Sequence, residues 1–204
     1  RSKENIKKIR GKIAAMVFQD SMTSFDPLPT IGYQIAETIV THKNINNKEA
    51  LKQAEHLLER VEIQNANKVL NYYPHQLSGG MLQRAMIAMA LSCEPKLLIA
   101  DEPTTALDVT IQAQILDLMT KLKDEVGMSI LFITHDLGLI EKFSDTITVM
   151  QEGTVVEQGD TKSVFLNPQH SYTKKLINSE PSSKQDPLKE EPPLITVQDL
   201  NIFY

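Results

Sequence analysis

Short apolar runs alternate with stretches of helical periodicity along this 204-residue chain. Three runs bounded by turn residues are typical of buried strands: Ile13–Phe18, Lys96–Ala100 and Ser129–Thr134. Apolar residues recur at helical spacing in six other stretches: Ile31–His42, Lys48–Val61, Asn65–Leu70, Gly79–Ser92, Ile111–Glu125 and Leu137–Phe143. Because strands alternate with helices, the pattern predicts an α/β fold with a mostly parallel sheet covered by helices on both faces.

The helices are unevenly distributed between the predicted strands. Residues 20–93 contain only helices and a loop, Asp20–Thr30, that is broken by two prolines. We therefore predict an inserted helical subdomain at 20–93 and an α/β core formed by residues 1–19 and 94–160. A short helix at Ser2–Arg10 and a hairpin turning at Glu152-Gly153, between Thr146–Met150 and Thr154–Glu157, complete the prediction.

The composition changes after Gly159. Ser179–Pro193 holds four prolines and three serines with few apolar residues, which is typical of a linker. Leu194–Tyr204 then has the pattern of a new strand. Two interpretations remain open: this strand folds back on the same domain, or it is the first strand of a second domain.

Charge and cysteine content exclude several classes of protein. The net charge is −5 with cations and anions mixed, which argues against a nucleic-acid-binding face. Cys93 is the one cysteine, so an internal disulfide is impossible and the chain fits a reducing compartment. The longest apolar runs, such as Ala85–Leu91, are too short to span a membrane.

Three motifs with phosphate chemistry follow one another along the chain: Leu77–Gln83 (LSGGMLQ), Leu97–Glu102 (LLIADE) and Thr134-His135-Asp136. Ser78 is a plausible N-cap, and the glycines after it would expose backbone N–H groups to an anion. At the end of a buried strand, one carboxylate of Asp101 and Glu102 could hold Mg²⁺ while the other accepts a proton from water. No G-x-x-x-x-G-K-[ST] loop is present, since Gly11-Lys12 is followed by Ile13.

In this order and spacing the motifs resemble those of the ATP-binding cassette (ABC) ATPases. The resemblance implies a P-loop NTPase (RecA-like) core with an inserted helical subdomain, truncated at the N-terminus so that the chain begins after the phosphate loop. It also implies ATP and Mg²⁺ as cofactors. It assigns Glu102 as catalytic base, His135 as the switch histidine that contacts the γ-phosphate, and Asp101 as a Mg²⁺ ligand. Gln19 matches the Q-loop glutamine, which touches both Mg²⁺ and the attacking water.

The resemblance also implies nucleotide contacts made across a dimer of cassettes. Ser78, Gly79, Gly80 and Gln83 belong to the signature segment, which binds the γ-phosphate of ATP held by the opposite cassette. Asp108 matches the D-loop at the dimer interface, and it is equally an N-cap candidate for the following helix. Tyr204 would stack on adenine in a second cassette. Leu82 stands where arginine is common, so we expect it to alter packing or charge at the dimer face.

Several stretches resemble the oligopeptide and dipeptide importers in particular: Phe18–Ser24, Tyr73–Leu77, Thr104–Thr110 and Asn167–Thr173. This resemblance implies a peripheral ATPase at the cytoplasmic face of the membrane. Its partners would be a second cassette, in the same chain or in a homologous subunit, the transmembrane permease subunits and, through them, a peptide-binding protein. The segment Gln19–Gln34 would receive the permease. Lacking the phosphate loop, the isolated chain is expected to be poorly stable and inactive.

Three other functions fit the sequence less well than transport. A soluble tandem-cassette ATPase acting on ribosomes would carry a long, charged, helical linker, whereas this linker is short and rich in proline and serine. A chromosome ATPase of the SMC type needs a coiled coil that cannot fit between Gln19 and Ser78. A degenerate cassette with a regulatory role and no catalytic activity would lack Glu102 or His135, and both residues are present.

Overall fold

The structure, a computed structural model, describes residues 9–105 and 107–179. These residues form two compact units that divide between Thr146 and Ile147. Most of the predicted helix Ser2–Arg10, nearly all of the linker Ser179–Pro193 and the strand Leu194–Tyr204 lie outside the described residues, so those predictions remain untested. The predicted domain boundaries at residues 19, 93 and 160 also stay predictions.

The described helices and strands follow the predicted order closely. The helices are α1 Ser21–Ser24, α2 Ile31–Lys43, α3 Asn47–Arg60, α4 Ala66–Val69, α5 Gly79–Leu91, α6 Val109–Val126, α7 Leu137–Phe143, α8 Thr161–Leu166 and α9 Ser171–Ser179. The strands are β1 Ala14–Val17, β2 Leu97–Asp101, β3 Ser129–Ile133, β4 Thr146–Gln151 and β5 Thr154–Asp160. A 3₁₀ turn at Pro74–Gln76 precedes α5.

The first three strands form one parallel sheet in the order β1-β2-β3. Val17 pairs with Ala100, and Ala100 pairs with Phe132, so all three strands end at about the same level. This confirms the predicted parallel sheet. Because parallel strands share one carboxyl edge, the residues that follow them are brought together there.

The prediction that helices cover both faces of this sheet is wrong for the part of the chain described. Val17, Leu98 and Ala100 point to one face and are fully buried in the main core. Their neighbours along the strands point to the other face, where Leu131 is 50% exposed and Ile133 45% exposed. Periodicity missed this because a fully apolar run does not say whether both faces have a partner.

The helical block and the buried face of the sheet share one hydrophobic core. Gly32 allows α2 to approach the loop that follows α4 closely: its N–H donates to the Leu70 carbonyl at 2.9 Å. A Cβ at this position would lie 2.7 Å from that same oxygen. The Ile31 N–H donates to the Tyr72 carbonyl, so loop carbonyls satisfy the free donors at the start of α2.

The segment Asp20–Thr30 contains a helical turn, α1, that the loop prediction missed. Asp20 begins it: the Thr23 N–H donates to Asp20 Oδ1, and the Ser24 hydroxyl donates to the Asp20 carbonyl. The rest of the loop is held by the buried side chain of Gln34, which donates to the carbonyls of Asp26 and Pro29. Short capped turns of this kind carry too little periodicity to be seen in sequence.

The second unit consists of the hairpin and the two helices after it. Strands β4 and β5 pair around Glu152 and Gly153, both at positive φ, as predicted. The Glu157 carboxylate accepts backbone N–H groups from Gln169 at 2.7 Å and His170 at 3.0 Å, which lowers the pKa of Glu157. One side chain of β5 thus anchors the turn that leads into α9.

Candidate functional site

The carboxylate of Glu102 is the centre of a hydrogen-bonded cluster at the carboxyl edge of the sheet. Gln19 Nε2, just after β1, donates to Glu102 Oε2 at 2.9 Å. His135 Nδ1, just after β3, lies 2.9 Å from the other oxygen, Oε1. Thr105 donates its hydroxyl to Oε2, also at 2.9 Å. Side chains from two strand ends and one loop therefore converge on the carboxylate that follows the third strand.

The backbone of Glu102 is held in a conformation that a glutamate rarely adopts. Its φ is +43°, in the left-handed region. Such a residue costs about 1–3 kcal/mol and persists only where the surroundings enforce it. Here the Glu102 N–H donates to the Ile133 carbonyl at 2.9 Å, which extends the pairing of β2 and β3 by one residue. The resulting turn directs the Glu102 side chain toward Gln19 and His135.

Glu102 and His135 each shift the other's pKa. Hydrogen bonds from His135 and then Thr105 lower the pKa of Glu102, outweighing a small desolvation effect. The Glu102 carboxylate raises the pKa of His135. The imidazole is 72% exposed while the glutamate side chain is 25% exposed, so solvent screens the pair. The result is a partly sheltered anion beside a histidine that favours its protonated form.

Asp101 and Gln19 have the chemistry that Mg²⁺ requires. Asp101 ends β2 beside Glu102 and is partly exposed. Because Gln19 donates its amide nitrogen to Glu102, its amide oxygen remains available as a ligand. Within the described residues no cluster of three or more His, Cys, Asp or Glu side chains could hold a metal alone. One carboxylate and one amide oxygen fit a magnesium ion whose other ligands are phosphate oxygens and water.

The glycine turn at the start of α5 presents free backbone donors at a helix N-terminus. Ser78 is its N-cap, as predicted, and accepts the Met81 N–H on its side-chain oxygen at 3.3 Å. The Ser78 carbonyl accepts the Leu82 N–H. The N–H groups of Gly79 and Gly80 have no acceptor in the part of the chain that the structure describes, and Gly79 is exposed. Two free donors at a positive helix end suit a phosphate oxygen.

The remaining predicted residues lie in different environments. Gln83 is 2% exposed and its Nε2 has no partner among the described residues. Leu82 is fully buried in the core, which corrects the expectation that it shapes a dimer face: it lies one turn before Ala85 and Met86 on the inner side of α5. Asp108 is the N-cap of α6, accepting the Ile111 N–H at 2.9 Å. Tyr204 lies outside the described residues.

The structure thus brings together Gln19, Glu102 and His135 from distant parts of the sequence. The nucleotide and metal roles of the predicted residues are not tested by this geometry and stay predictions. Sequence reasoning missed Thr105, whose hydroxyl reaches Glu102 only because the intervening turn reverses the chain. A hydroxyl residue three positions after a strand-end acid, in a loop with proline, was the available signal.

Two protein-family models match parts of the chain. Residues 1–105 match the family model described as "ABC transporter". Residues 156–199 match the C-terminal region of oligopeptide/dipeptide transporters. The first match includes Gln19, the signature segment, Asp101 and Glu102. The second match includes Glu157.

Curated relatives point the same way. The glutathione import ATP-binding protein GsiA of Escherichia coli O1:K1 is 47% identical over 209 residues, covering 95% of this chain and 34% of GsiA. A Brucella melitensis protein, named as a peptide import ATP-binding protein, is 55% identical over 178 residues. That match covers 87% of this chain and 53% of the relative. The chain therefore spans about a third to a half of the length of these relatives.

Solved structures share the fold. The ATP-binding cassette MJ0796, in a dimeric post-hydrolysis state bound to ADP and Pi, superposes with a TM-score of 0.68 at 30% identity, covering 79% of this chain and 68% of that one. CbiO1 of Clostridium perfringens, part of the ABC transporter complex cbiONQ, gives 0.71 at 32% identity, covering 81% and 63%. These likenesses confirm the predicted α/β class and the P-loop NTPase fold of an ABC ATPase. By its matched family model, its relatives and its fold, the chain belongs to the ABC transporter family of ATP-binding cassette proteins.

Proposed function

We propose that this chain is part of an ATPase that hydrolyses ATP to drive an ABC importer of peptides. The observation that carries the proposal is the Glu102 carboxylate, held at the sheet edge by Gln19, Thr105 and His135. ATP is the proposed nucleotide and Mg²⁺ its metal partner. Glu102 is the general base, since a sheltered carboxylate beside a bound phosphate can accept the proton of an attacking water.

The other residues act on the same phosphate. Asp101 and the amide oxygen of Gln19 hold Mg²⁺. His135 lies at the mouth of the cluster, where its exposed imidazole can donate a hydrogen bond to the γ-phosphate. The free N–H groups of Gly79 and Gly80, with Ser78, Gln83 and Asp108, contribute to nucleotide held by a partnering cassette. Tyr204 is proposed to stack on adenine in a second cassette.

Transport of peptides is supported by the C-terminal part of the chain. Residues 156–199 match a region described for oligopeptide/dipeptide transporters, and the relatives are named for import of peptides or glutathione. We propose that transmembrane permease subunits bind the Gln19–Gln34 segment and that a peptide-binding protein delivers the cargo to them. The chain would then work at the cytoplasmic face of the membrane. No helix in the described residues is long and apolar enough to cross a bilayer.

The partner cassette is proposed to lie in the same polypeptide. GsiA matches 95% of this chain, including part of the proline-rich linker region, and the match fills only 34% of GsiA. The match with the Brucella relative covers 87% of this chain and 53% of the relative's length. The alternative is a soluble tandem-cassette ATPase that acts on ribosomes, and the names of these relatives favour import over it.

The test is the Glu102→Gln variant of the full-length protein with its permease in proteoliposomes. We expect ATP binding to remain while turnover falls roughly 100-fold or more, because the amide cannot accept the proton. Glu125→Gln, which changes a surface partner of Arg60, is the control and keeps normal turnover. Robust hydrolysis by Glu102→Gln would remove Glu102 as the base. If a peptide-loaded binding protein does not stimulate wild-type hydrolysis, the importer assignment is wrong.

A further inference from the structure

Thr105 holds Glu102 through two separate contacts. Its hydroxyl donates to Glu102 Oε2 at 2.9 Å, and its backbone N–H donates to the Glu102 carbonyl at 3.3 Å. Both contacts arise within one loop, the segment that joins β2 to α6. The side chain of Thr105 is itself exposed, so no packing requirement explains why this hydroxyl points at the carboxylate.

The two oxygens of Glu102 are divided between different donors. Oε2 accepts from Gln19 and Thr105, while Oε1 faces His135. A glutamate carboxylate rotates broadly about its last torsion when it is not held. Two donors on one oxygen fix that rotation and leave the second oxygen directed toward the mouth of the site.

Gln19 and Thr105 differ in how firmly they can hold the carboxylate. Gln19 reaches Glu102 across the sheet from the end of β1, and in the proposed function its amide oxygen also turns to Mg²⁺. Thr105 is three residues from Glu102 and is tied to its backbone. Thr105 is therefore held next to Glu102 by the chain itself, whereas the Gln19 amide is shared between Glu102 and the proposed Mg²⁺.

The neighbouring threonine shows that the contact is specific to one position. Thr104 is 4% exposed, and its hydroxyl accepts from Gln112 Nε2 at 3.1 Å on α6. The two adjacent threonines thus differ in their partners: the hydroxyl of Thr104 accepts from α6, and the hydroxyl of Thr105 donates to Glu102. This pair supplies a matched control within one loop.

We propose that Thr105 is a positioning residue that orients the Glu102 carboxylate toward the attacking water. The proposal rests on the proposed function, in which Glu102 is the general base. Thr105 does not touch substrate; it acts through Glu102. The expected signature is a loss of turnover rate without a loss of nucleotide affinity, because the reacting geometry changes and the binding contacts do not.

The experiment compares Thr105→Val, Thr105→Ser and Thr104→Val in the full-length protein with its permease, measuring kcat, KM for ATP and thermal unfolding. For Thr105→Val, which keeps the shape and removes the donor, we expect kcat to fall roughly 10- to 100-fold, the scale for a misplaced reacting group. KM stays within about twofold because the phosphate contacts are untouched. Thr105→Ser restores the hydroxyl and recovers most of the rate.

Thr104→Val is expected to lower Tm, since Gln112 loses its acceptor, while kcat stays near the wild-type value. The proposal is overturned if Thr105→Val keeps full kcat, or if Thr105→Ser is as impaired as Thr105→Val. It is equally overturned if Thr105→Val merely lowers Tm as Thr104→Val does. When Glu102→Gln abolishes turnover and Thr105→Val does not, only the positioning role fails. When Glu102→Gln remains active, the proposed function itself fails.

Discussion

The contact between Glu102 and His135 makes charge at this site depend on pH. Protonated His135 is favoured in the folded protein, so its contribution to stability is complete below its ordinary pKa of 6.5 and is lost as pH rises through the raised pKa. Ionised Glu102 is favoured as well, so its contribution is present above 4.5 and is lost as pH falls through the lowered pKa. The pair is fully formed between these two ordinary values.

Replacing Glu102 by glutamine should return the titration of His135 toward its ordinary midpoint of 6.5. The physical reason is that the neutral amide no longer stabilises the imidazolium charge. Proton NMR of the imidazole during a pH titration measures this in the nucleotide-free protein. An unchanged midpoint for His135 would mean that the contact is absent in solution.

At the level of the element, the two glycines that begin α5 face different constraints. A Cβ on Gly80 would lie 2.9 Å from Ile111 Cγ2, on a β-branched side chain with little freedom to move. A Cβ on Gly79 would lie 3.6 Å from Leu107 Cδ2, an ordinary contact distance. Gly80 is therefore required for packing of α5 against α6, whereas Gly79 is required only if a ligand approaches its backbone.

This difference predicts opposite effects of two similar substitutions. Gly80→Ala should destabilise the fold by about 1–3 kcal/mol through overpacking. Gly79→Ala should leave stability unchanged or raise it by about 0.5 kcal/mol, since alanine is favoured in a helix. Urea unfolding of both variants measures the two effects. Equal destabilisation by both would contradict the distinction, and reduced ATP turnover of a stable Gly79→Ala protein would support the anion site.

A second element-level prediction concerns Arg84, which joins three segments. Its guanidinium donates to the Val61 carbonyl at 2.9 Å and to Glu62 at 3.2 Å, and it reaches Gln114 on α6. Arg84→Met should cost about 1–3 kcal/mol, because a partly buried carbonyl loses its donor. Arg60→Met, which breaks the more exposed pair with Glu125, should cost at most about 1 kcal/mol. Similar losses in urea unfolding would refute this ranking.

Most of the helices and strands could be predicted from the sequence, but the contacts that surround them could not. Periodicity located the long helices, and Ser78 and Asp108 marked helix starts that the structure confirms as N-caps. The turn α1 was missed because it depends on a single capping aspartate. The family resemblance grouped Gln19, Glu102 and His135, and the structure gives the reason, since parallel strands bring their ends to one edge. Thr105 could not be grouped with them in advance, because its contact depends on the left-handed backbone of Glu102.

At the scale of the whole molecule, the uncovered face of the sheet has the clearest consequence. Met16, Ile99 and Leu131 lie in one row on this face, and the exposed side chains of Phe18 and Ile133 add to it next to Asp101. Apolar patches of this kind bind hydrophobic dyes and promote association. The 204-residue chain should therefore bind an anilinonaphthalene dye in its native state.

Two leucines on opposite faces of this sheet test that argument. Leu131→Thr should lower dye binding while changing stability by no more than about 0.5 kcal/mol, because that side chain is already half exposed. Leu98→Thr, at a fully buried site on the neighbouring strand, should cost about 2–5 kcal/mol through the lost methyl groups and a buried hydroxyl. Dye fluorescence and urea unfolding on the same samples separate the two effects. If Leu131→Thr destabilises the chain as much as Leu98→Thr, the second face is covered in solution, and the sheet is packed on both sides as its apolar sequence first suggested.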